Sequence, residues 1–167
     1  MRTSERILQE VKKAVIGKDE LLEKILMAIL ANGHILMEDM PGVGKTTIAR
    51  AFADAMRLDC RRMQFTVDVL PADVTGFSVI DPQTGKTQIR KGAVFTNLFL
   101  ADEINRTSSR TQAALLEVME EGSVSVDGIT MTLEQPFLVI ATHNPYRSSG
   151  TQQHPESHLD RSQICQE

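Results

Sequence analysis

A short apolar stretch, Ile35 to Met37, runs into Pro41-Gly42-Val43-Gly44-Lys45-Thr46, and the segment to Met56 then carries Ile48, Ala49, Phe52 and Ala55 on one helical face. Strand, glycine-rich turn and helix in this order leave few folds open. Glycines let successive backbone N–H groups converge at the start of a helix, which makes a cradle for an anion. Lys45 could reach the β and γ phosphates of a nucleotide, and the Thr46 hydroxyl could ligate magnesium. Asp39 stands where the full phosphate-loop pattern has its first glycine, and Asp tolerates turn and left-handed geometry better than most residues. A plain strand-to-helix turn would use the same glycines, but the order of the flanking elements favours the phosphate cradle.

The rest of the chain is organised around that unit. Ser4 is placed to cap a helix with Ile7, Leu8, Val11 and Val15 on one face, ended by Gly17. Asp19 is placed to cap a second, with Leu22, Ile25, Leu26, Ile29 and Leu30 as its stripe and Asn32-Gly33 as its stop. Strands are expected at Met63–Thr66, Leu98–Asp102 and Phe137–Thr142. Between the first two, Asp81-Pro82 and Gly85 suggest a small inserted hairpin, and Asp127-Gly128 signals a tight one between Val124, Val126 and Met131, Leu133. Ser108 or Ser109 is placed to cap a helix with Ala113, Leu115, Leu116 and Met119, ending at Gly122. Strands alternating with helices imply an α/β fold with a parallel sheet covered on both faces.

Composition excludes several classes. The formal net charge of −4 over 167 residues argues against a general coat for nucleic acid, and the basic pairs Arg61-Arg62 and Arg90-Lys91 read as solvated surface. Cys60 and Cys165 lack metal or disulfide-framework spacing and are read as free thiols in a reducing cytoplasm. His34, His143, His154 and His158 show no ligand spacing and are read as structural or solvent-facing. No stretch has the length of a membrane span, and no membrane partner is expected.

Asp102 and Glu103 close the apolar run from Leu98, which in a doubly wound sheet puts them at the carboxyl edge beside the ligand-binding loops. Asp102 would hold the hydration shell of magnesium, and Glu103 could polarise a water for attack on a γ-phosphate. Tandem acids favour hydrolysis over phosphoryl transfer to a metabolite, so a small-molecule kinase is the weaker reading.

Together with the phosphate loop, Gly33-His34-Ile35-Leu36-Met37-Glu38, Gln64-Phe65-Thr66, Leu70-Pro71-Ala72-Asp73-Val74-Thr75-Gly76, Asp102-Glu103-Ile104-Asn105-Arg106, Gln112 with Ala114-Leu115-Leu116-Glu117, and Ala141-Thr142-His143-Asn144-Pro145 resemble the MoxR branch of the AAA+ ATPases. The resemblance runs from about Val15 to Arg161. It implies a P-loop NTPase core of three αβα layers, a parallel sheet ordered 5-1-4-3-2 and two small hairpin insertions, here the segments 77–92 and around Asp127-Gly128. It further implies ATP and Mg2+ as cofactors, bound between neighbours of a homo-oligomeric ring, a hexamer, that does mechanical work on client proteins as a chaperone for metal-cofactor insertion or complex assembly. By position, Ile16 and Gly17 would line the adenine pocket, and Pro41, Gly42, Val43, Gly44, Lys45, Thr46 and Thr47 would hold the phosphates. Thr46 and Asp102 would serve the metal, Glu103 and the sensor Asn144 the attacking water, and Arg161 would be an arginine finger for the neighbour's ATP.

The carboxyl end departs from this pattern. After Asp160-Arg161 the family continues with an apolar strand and a helical lid, whereas here Ser162-Gln163-Ile164-Cys165-Gln166-Glu167 follows. Tyr146-Arg147 and His154 also differ from the family's usual residues. The expected layout is therefore N-terminal helices over 4–31, a nucleotide-binding core over 33–161 and a divergent tail over 162–167, without the fifth strand or the lid. On that expectation Ile35–Met37 would become an unpaired apolar edge, with weak nucleotide affinity, poor hydrolysis and low solubility. The alternative function is a hydrolysis-deficient module that binds nucleotide or another subunit.

Overall fold

The computed structural model describes residues 3–38, 44–143 and 165–166. Helices α1 (Thr3–Ala14) and α2 (Asp19–Leu30) lead into strand β1 (Ile35–Glu38), then α3 (Lys45–Met56) and β2 (Cys60–Gln64). A short α4 (Pro71–Thr75) precedes the hairpin β3 (Gly76–Ile80) and β4 (Thr87–Lys91). The central strand β5 (Leu98–Asp102), a 3-10 turn over Ile104–Arg106 and α5 (Ser109–Glu121) follow. The hairpin β6 (Ser123–Val126) and β7 (Ile129–Thr132), then β8 (Leu138–His143) and β9 (Cys165–Gln166), complete the described elements.

The main sheet is parallel and ordered β2-β5-β8-β1-β9, which is the 5-1-4-3-2 order when its strands are numbered among themselves. Its fifth position, expected to be empty, is taken by β9: Leu36 pairs with Cys165 and Met37 with Gln166. The unpaired apolar edge expected at Ile35–Met37 is therefore corrected for Leu36 and Met37. Edge pairing is a backbone affair that any non-proline residue can perform, so the polar tail supplies it without the apolar run that would have flagged a strand.

Side-chain alternation along the strands builds a core on each face. From β5, Leu98 and Leu100 join Val11, Leu22, Ile25, Ile48 and Phe52 under α1, α2 and α3, whereas Phe99 and Ala101 face Phe65, Val74, Leu115 and Val118 under α4 and α5. Strand β8 divides in the same way, Leu138 and Ile140 to the first core and Val139 and Ala141 to the second. All five residues of β5 are buried, as a central parallel strand covered on both faces requires.

At the helix ends the stop at Asn32-Gly33 and the cap at Ser108 form as expected, whereas the caps expected at Ser4 and Asp19 do not. Asn32 adopts a left-handed φ of 51°, its N–H bonds Ile29 O at 3.2 Å and that of Gly33 bonds Ala28 O at 2.9 Å, a Schellman stop for α2. Ser108 caps α5, accepting from Thr111 N at 3.3 Å. Asp19 does not cap α2: it is the first helical residue, and Lys18 before it makes no side-chain cap. There the carboxylate acts on the helix dipole instead. Ser4 lies within α1, which already includes Thr3. Strand β2 starts three residues earlier than expected, at Cys60, because its Arg61-Arg62 pair belongs to the ladder with β5. The tight turn at Asp127-Gly128 forms with φ of 48° and 78°, the doubly left-handed geometry of a two-residue hairpin. Ser78 of β3 hydrogen-bonds the Asp127 carboxylate, so the two insertion hairpins touch.

His34 ties the second core to the sheet. Val139 N–H donates to its Nδ1 at 3.0 Å, which leaves Nε2 as the protonated nitrogen that donates to Met119 O, also at 3.0 Å. Its ring meets Phe137 edge-on at 5.7 Å. Burial holds the imidazole below its ordinary value of 6.5, only partly offset by the Met119 carbonyl. The unfolded chain then takes up this proton before the folded one does, so stability present above about pH 6.5 is lost as pH falls through the interval down to the folded value. Thermal melts between pH 8 and pH 5 are expected to show a fall in Tm whose His34 component is missing in His34→Gln.

Candidate functional site

Parallel pairing brings the carboxyl ends of three strands side by side. Glu38 of β1 is in register with His143 of β8, and Ala101 of β5 with Ala141 of β8, so the residues that follow each strand leave from one edge of the sheet. Segment 39–43 leaves from β1, Glu103 follows β5, and residue 144 follows β8. Of the expected site residues, Pro41, Gly42, Val43, Asn144 and Arg161 lie outside the described residues, as does Asp39.

The far end of the glycine-rich turn is described. Gly44 occupies the N-cap of α3 with φ 71° and ψ 31°, a left-handed conformation that favours glycine, and its carbonyl accepts from Ile48 N at 2.9 Å. Lys45, Thr46 and Thr47 form the first helical turn, Lys45 and Thr46 half-buried and Thr47 exposed. Their backbone N–H groups belong to the set that an α-helix leaves without internal partners. Ile16 lies in the loop before α2 and is 88% exposed; Gly17 beside it has φ 76° with open space where a Cβ would stand.

At the end of β5 the two acids differ. Asp102 is buried, at 6% exposure, and on the α3 face of the sheet with Leu98 and Leu100. Its Oδ2 accepts from Arg62 Nε at 2.6 Å. Glu103 follows in a left-handed conformation, φ 55° and ψ 50°, uncommon for a residue with a Cβ. Two contacts hold it there. Its backbone N–H donates to Thr142 Oγ1 at 2.9 Å, and Arg106 Nη1 donates to its Oε2 at 2.8 Å. Such a conformation costs on the order of 1 kcal/mol and persists where the surroundings fix it. The two adjacent acids thus have different partners, Asp102 with Arg62 and Glu103 with Arg106.

Three participants escaped sequence reasoning. Arg62, read as solvated surface, lies on β2 two residues before Gln64, which is in register with Asp102. Only the strand register shows that proximity. Arg106 is three residues after Glu103, a spacing that could have suggested the pair. Thr142, with no exposed surface at all, was read simply as strand. Among the described residues no group of His, Cys, Asp and Glu is arranged to hold a metal by itself. Burial pushes the Cys60 thiol up, which keeps it a packing residue rather than a nucleophile. No helix among the described residues is long and apolar enough to cross a membrane.

Comparison with known proteins agrees with this architecture. Residues 34–164 match the model of an ATPase family associated with various cellular activities, AAA_3. The chain is 50% identical over 156 residues to YeaC, an uncharacterized protein of Bacillus subtilis (strain 168), covering 93% of this chain and 49% of that protein. It is 41% identical over 161 residues to the chaperone MoxR1 of Mycobacterium tuberculosis (strain ATCC 25618 / H37Rv), covering 96% and 43% respectively. The crystal structure of a candidate ATPase from Cytophaga hutchinsonii ATCC 33406 superposes with a TM-score of 0.87 at 40% identity, over 98% of this chain and 49% of that one. The chain thus spans about half the length of these relatives. On the matched family model and the MoxR-named relatives, with the sheet order in agreement, the chain belongs to the MoxR family of AAA+ ATPases.

Proposed function

We propose that this chain is the nucleotide-binding core of a MoxR-type ATPase, which binds ATP with magnesium and hydrolyses it to drive chaperone-like remodelling of client proteins in the cytoplasm. The observation that supports the reading is that β1, which precedes the Gly44-capped α3 in the chain, and β5, which ends in Asp102 before Glu103, flank β8 as parallel strands with their carboxyl ends on one sheet edge. Helix N–H groups and dipole attract phosphate, and Lys45 adds charge. The donor set fits a magnesium nucleotide: Thr46 offers a hydroxyl in the first turn of α3, and buried Asp102 offers a carboxylate that already attracts a cation, the Arg62 guanidinium. Thr46 and Asp102 would hold the ion, which when bound neutralises charge on the phosphates. Glu103, which follows Asp102 in a left-handed conformation, would orient and deprotonate the attacking water, and Asn144 would serve the same water as a sensor. Ile16 and Gly17 would meet the adenine, Pro41 to Thr47 would line the phosphates, and Arg161 would serve the nucleotide of a neighbour in a homo-oligomeric ring. The exposed Phe77, Ile80 and Ile129 on the two insertion hairpins support a role for these in contacting partners.

A second reading, nucleotide binding without turnover, draws support from the Arg106–Glu103 pair, which engages the carboxylate that water would need. Binding and hydrolysis of ATP with and without magnesium separate the two, with Lys45→Ala as the control. The variant is expected to bind nucleotide at least about tenfold more weakly, through loss of a charge-assisted contact to phosphate. Equal nucleotide affinity in parent and variant, measured by fluorescence titration, would refute the phosphate-loop assignment.

A further inference from the structure

Asp102 and Arg62 are unlike partners. The Asp102 side chain is 9% exposed at the end of a fully buried strand, whereas that of Arg62 is 51% exposed on β2, the edge strand of the sheet. Burial of a carboxylate is unfavourable without a compensating cation, and the Arg62 guanidinium supplies one through Nε at 2.6 Å. Its Nη2 reaches Gln64 Oε1 at 3.5 Å rather than deeper into the site. The anion is fixed by packing, and the cation has an open route to solvent.

We propose that Arg62 is an internal counter-ion that holds the Asp102 carboxylate until a magnesium nucleotide arrives, and that it sets the magnesium concentration at which that complex is retained. The inference rests on Asp102 being the magnesium-side acid of the proposed ATP site. A guanidinium and the hydration shell of a divalent cation both donate hydrogen bonds to the same carboxylate, and two cations around one carboxylate repel. Metal capture therefore requires Arg62 to withdraw or share. Because Arg62 is half exposed, water screens its charge and makes withdrawal inexpensive.

Arg62→Gln keeps an N–H donor near Asp102 but removes the charge, leaving a buried carboxylate that attracts magnesium more strongly. Arg62→Lys keeps the charge. The test titrates magnesium against the chain at a fixed concentration of a fluorescent, non-hydrolysable ATP analogue, with a parallel series in chelator to read metal-free nucleotide binding. Melting curves establish that each variant is folded, and Arg62→Met, which keeps the aliphatic stem, replaces the glutamine variant should that not fold. The half-saturating magnesium concentration is expected to fall about three- to tenfold in Arg62→Gln and to stay within about twofold in Arg62→Lys. Metal-free binding is expected to stay the same in Arg62→Lys and to be no tighter than in the parent in Arg62→Gln, whose uncompensated carboxylate repels phosphate. A magnesium midpoint that is unchanged or higher in the charge-neutral variant overturns the counter-ion proposal while leaving the ATP reading intact. Absence of nucleotide binding by the parent overturns the ATP reading first, and this proposal with it.

Discussion

Replacing Glu103 with glutamine is expected to lower ATP turnover by about two to four orders of magnitude while nucleotide affinity stays within a few-fold of the parent, because a positioned general base contributes about that much. Glutamine preserves the shape and the contact made by the backbone N–H to Thr142 Oγ1, so the left-handed turn at residue 103 should survive. What changes is the charge. Arg106 loses its ionic partner, but with side-chain exposures of 35% and 20% for Arg106 and Glu103 the pair is open to water, and its loss should cost less than about 1 kcal/mol of stability. Single-turnover hydrolysis and equilibrium binding on the same preparations check the split. Loss of binding together with turnover would mean that Glu103 shapes the site rather than acting on water.

The second large effect concerns the fold. Gly92→Ala is expected to destabilise the chain by about 3 kcal/mol, the upper range for forcing a methyl into a filled space. A Cβ at residue 92 would overlap the carbonyl oxygen of Val74 and lie 2.5 Å from the backbone nitrogen of Gly76. Both obstacles are backbone, so neither can rotate away. The Val74 carbonyl is also pinned, since it accepts from Val94 N at 3.2 Å beside the Ala93 N to Asp73 O bond at 3.0 Å. Gly85 provides the comparison, with a left-handed φ of 66° but nothing within 4 Å of an added Cβ. Gly85→Ala should cost only about 1 kcal/mol of backbone strain. Urea unfolding midpoints rank the two, and equal midpoints would contradict the steric argument.

Legibility in the sequence followed the range of the interaction. Periodicity and end signals located α1, α2, α3, α5 and β5 because these depend on residues within a turn or two of one another. The tandem acids and the glycine-rich turn were legible because they are contiguous. Short α4 was hidden in a polar stretch; its entry uses Asp73 Oδ2 accepting from Leu70 N at 2.9 Å, a local bond within the segment Leu70–Asp73. Arg62, Thr142 and strand β9 depend on register between segments about 40 residues or more apart, which no local pattern encodes. His34 combined both limits: its lack of metal-ligand spacing was readable, but its bridge from Met119 to Val139 was not.

The position of β1 in the sheet has a consequence for the order in which the chain is made. Strand β1 leaves the ribosome about a hundred residues ahead of its neighbours, β8 and β9, which begin at Leu138 and Cys165. While the hundred or so residues after β1 emerge, β2 and β5 can pair with each other, but β1 has no strand beside it. Its Ile35 and Met37 can in that interval be covered only by the helices already present, α1, α2 and α3. On that order of synthesis, the amphipathic helices α1 and α2 are expected to shelter an apolar strand through the slow, non-local step that closes a parallel sheet.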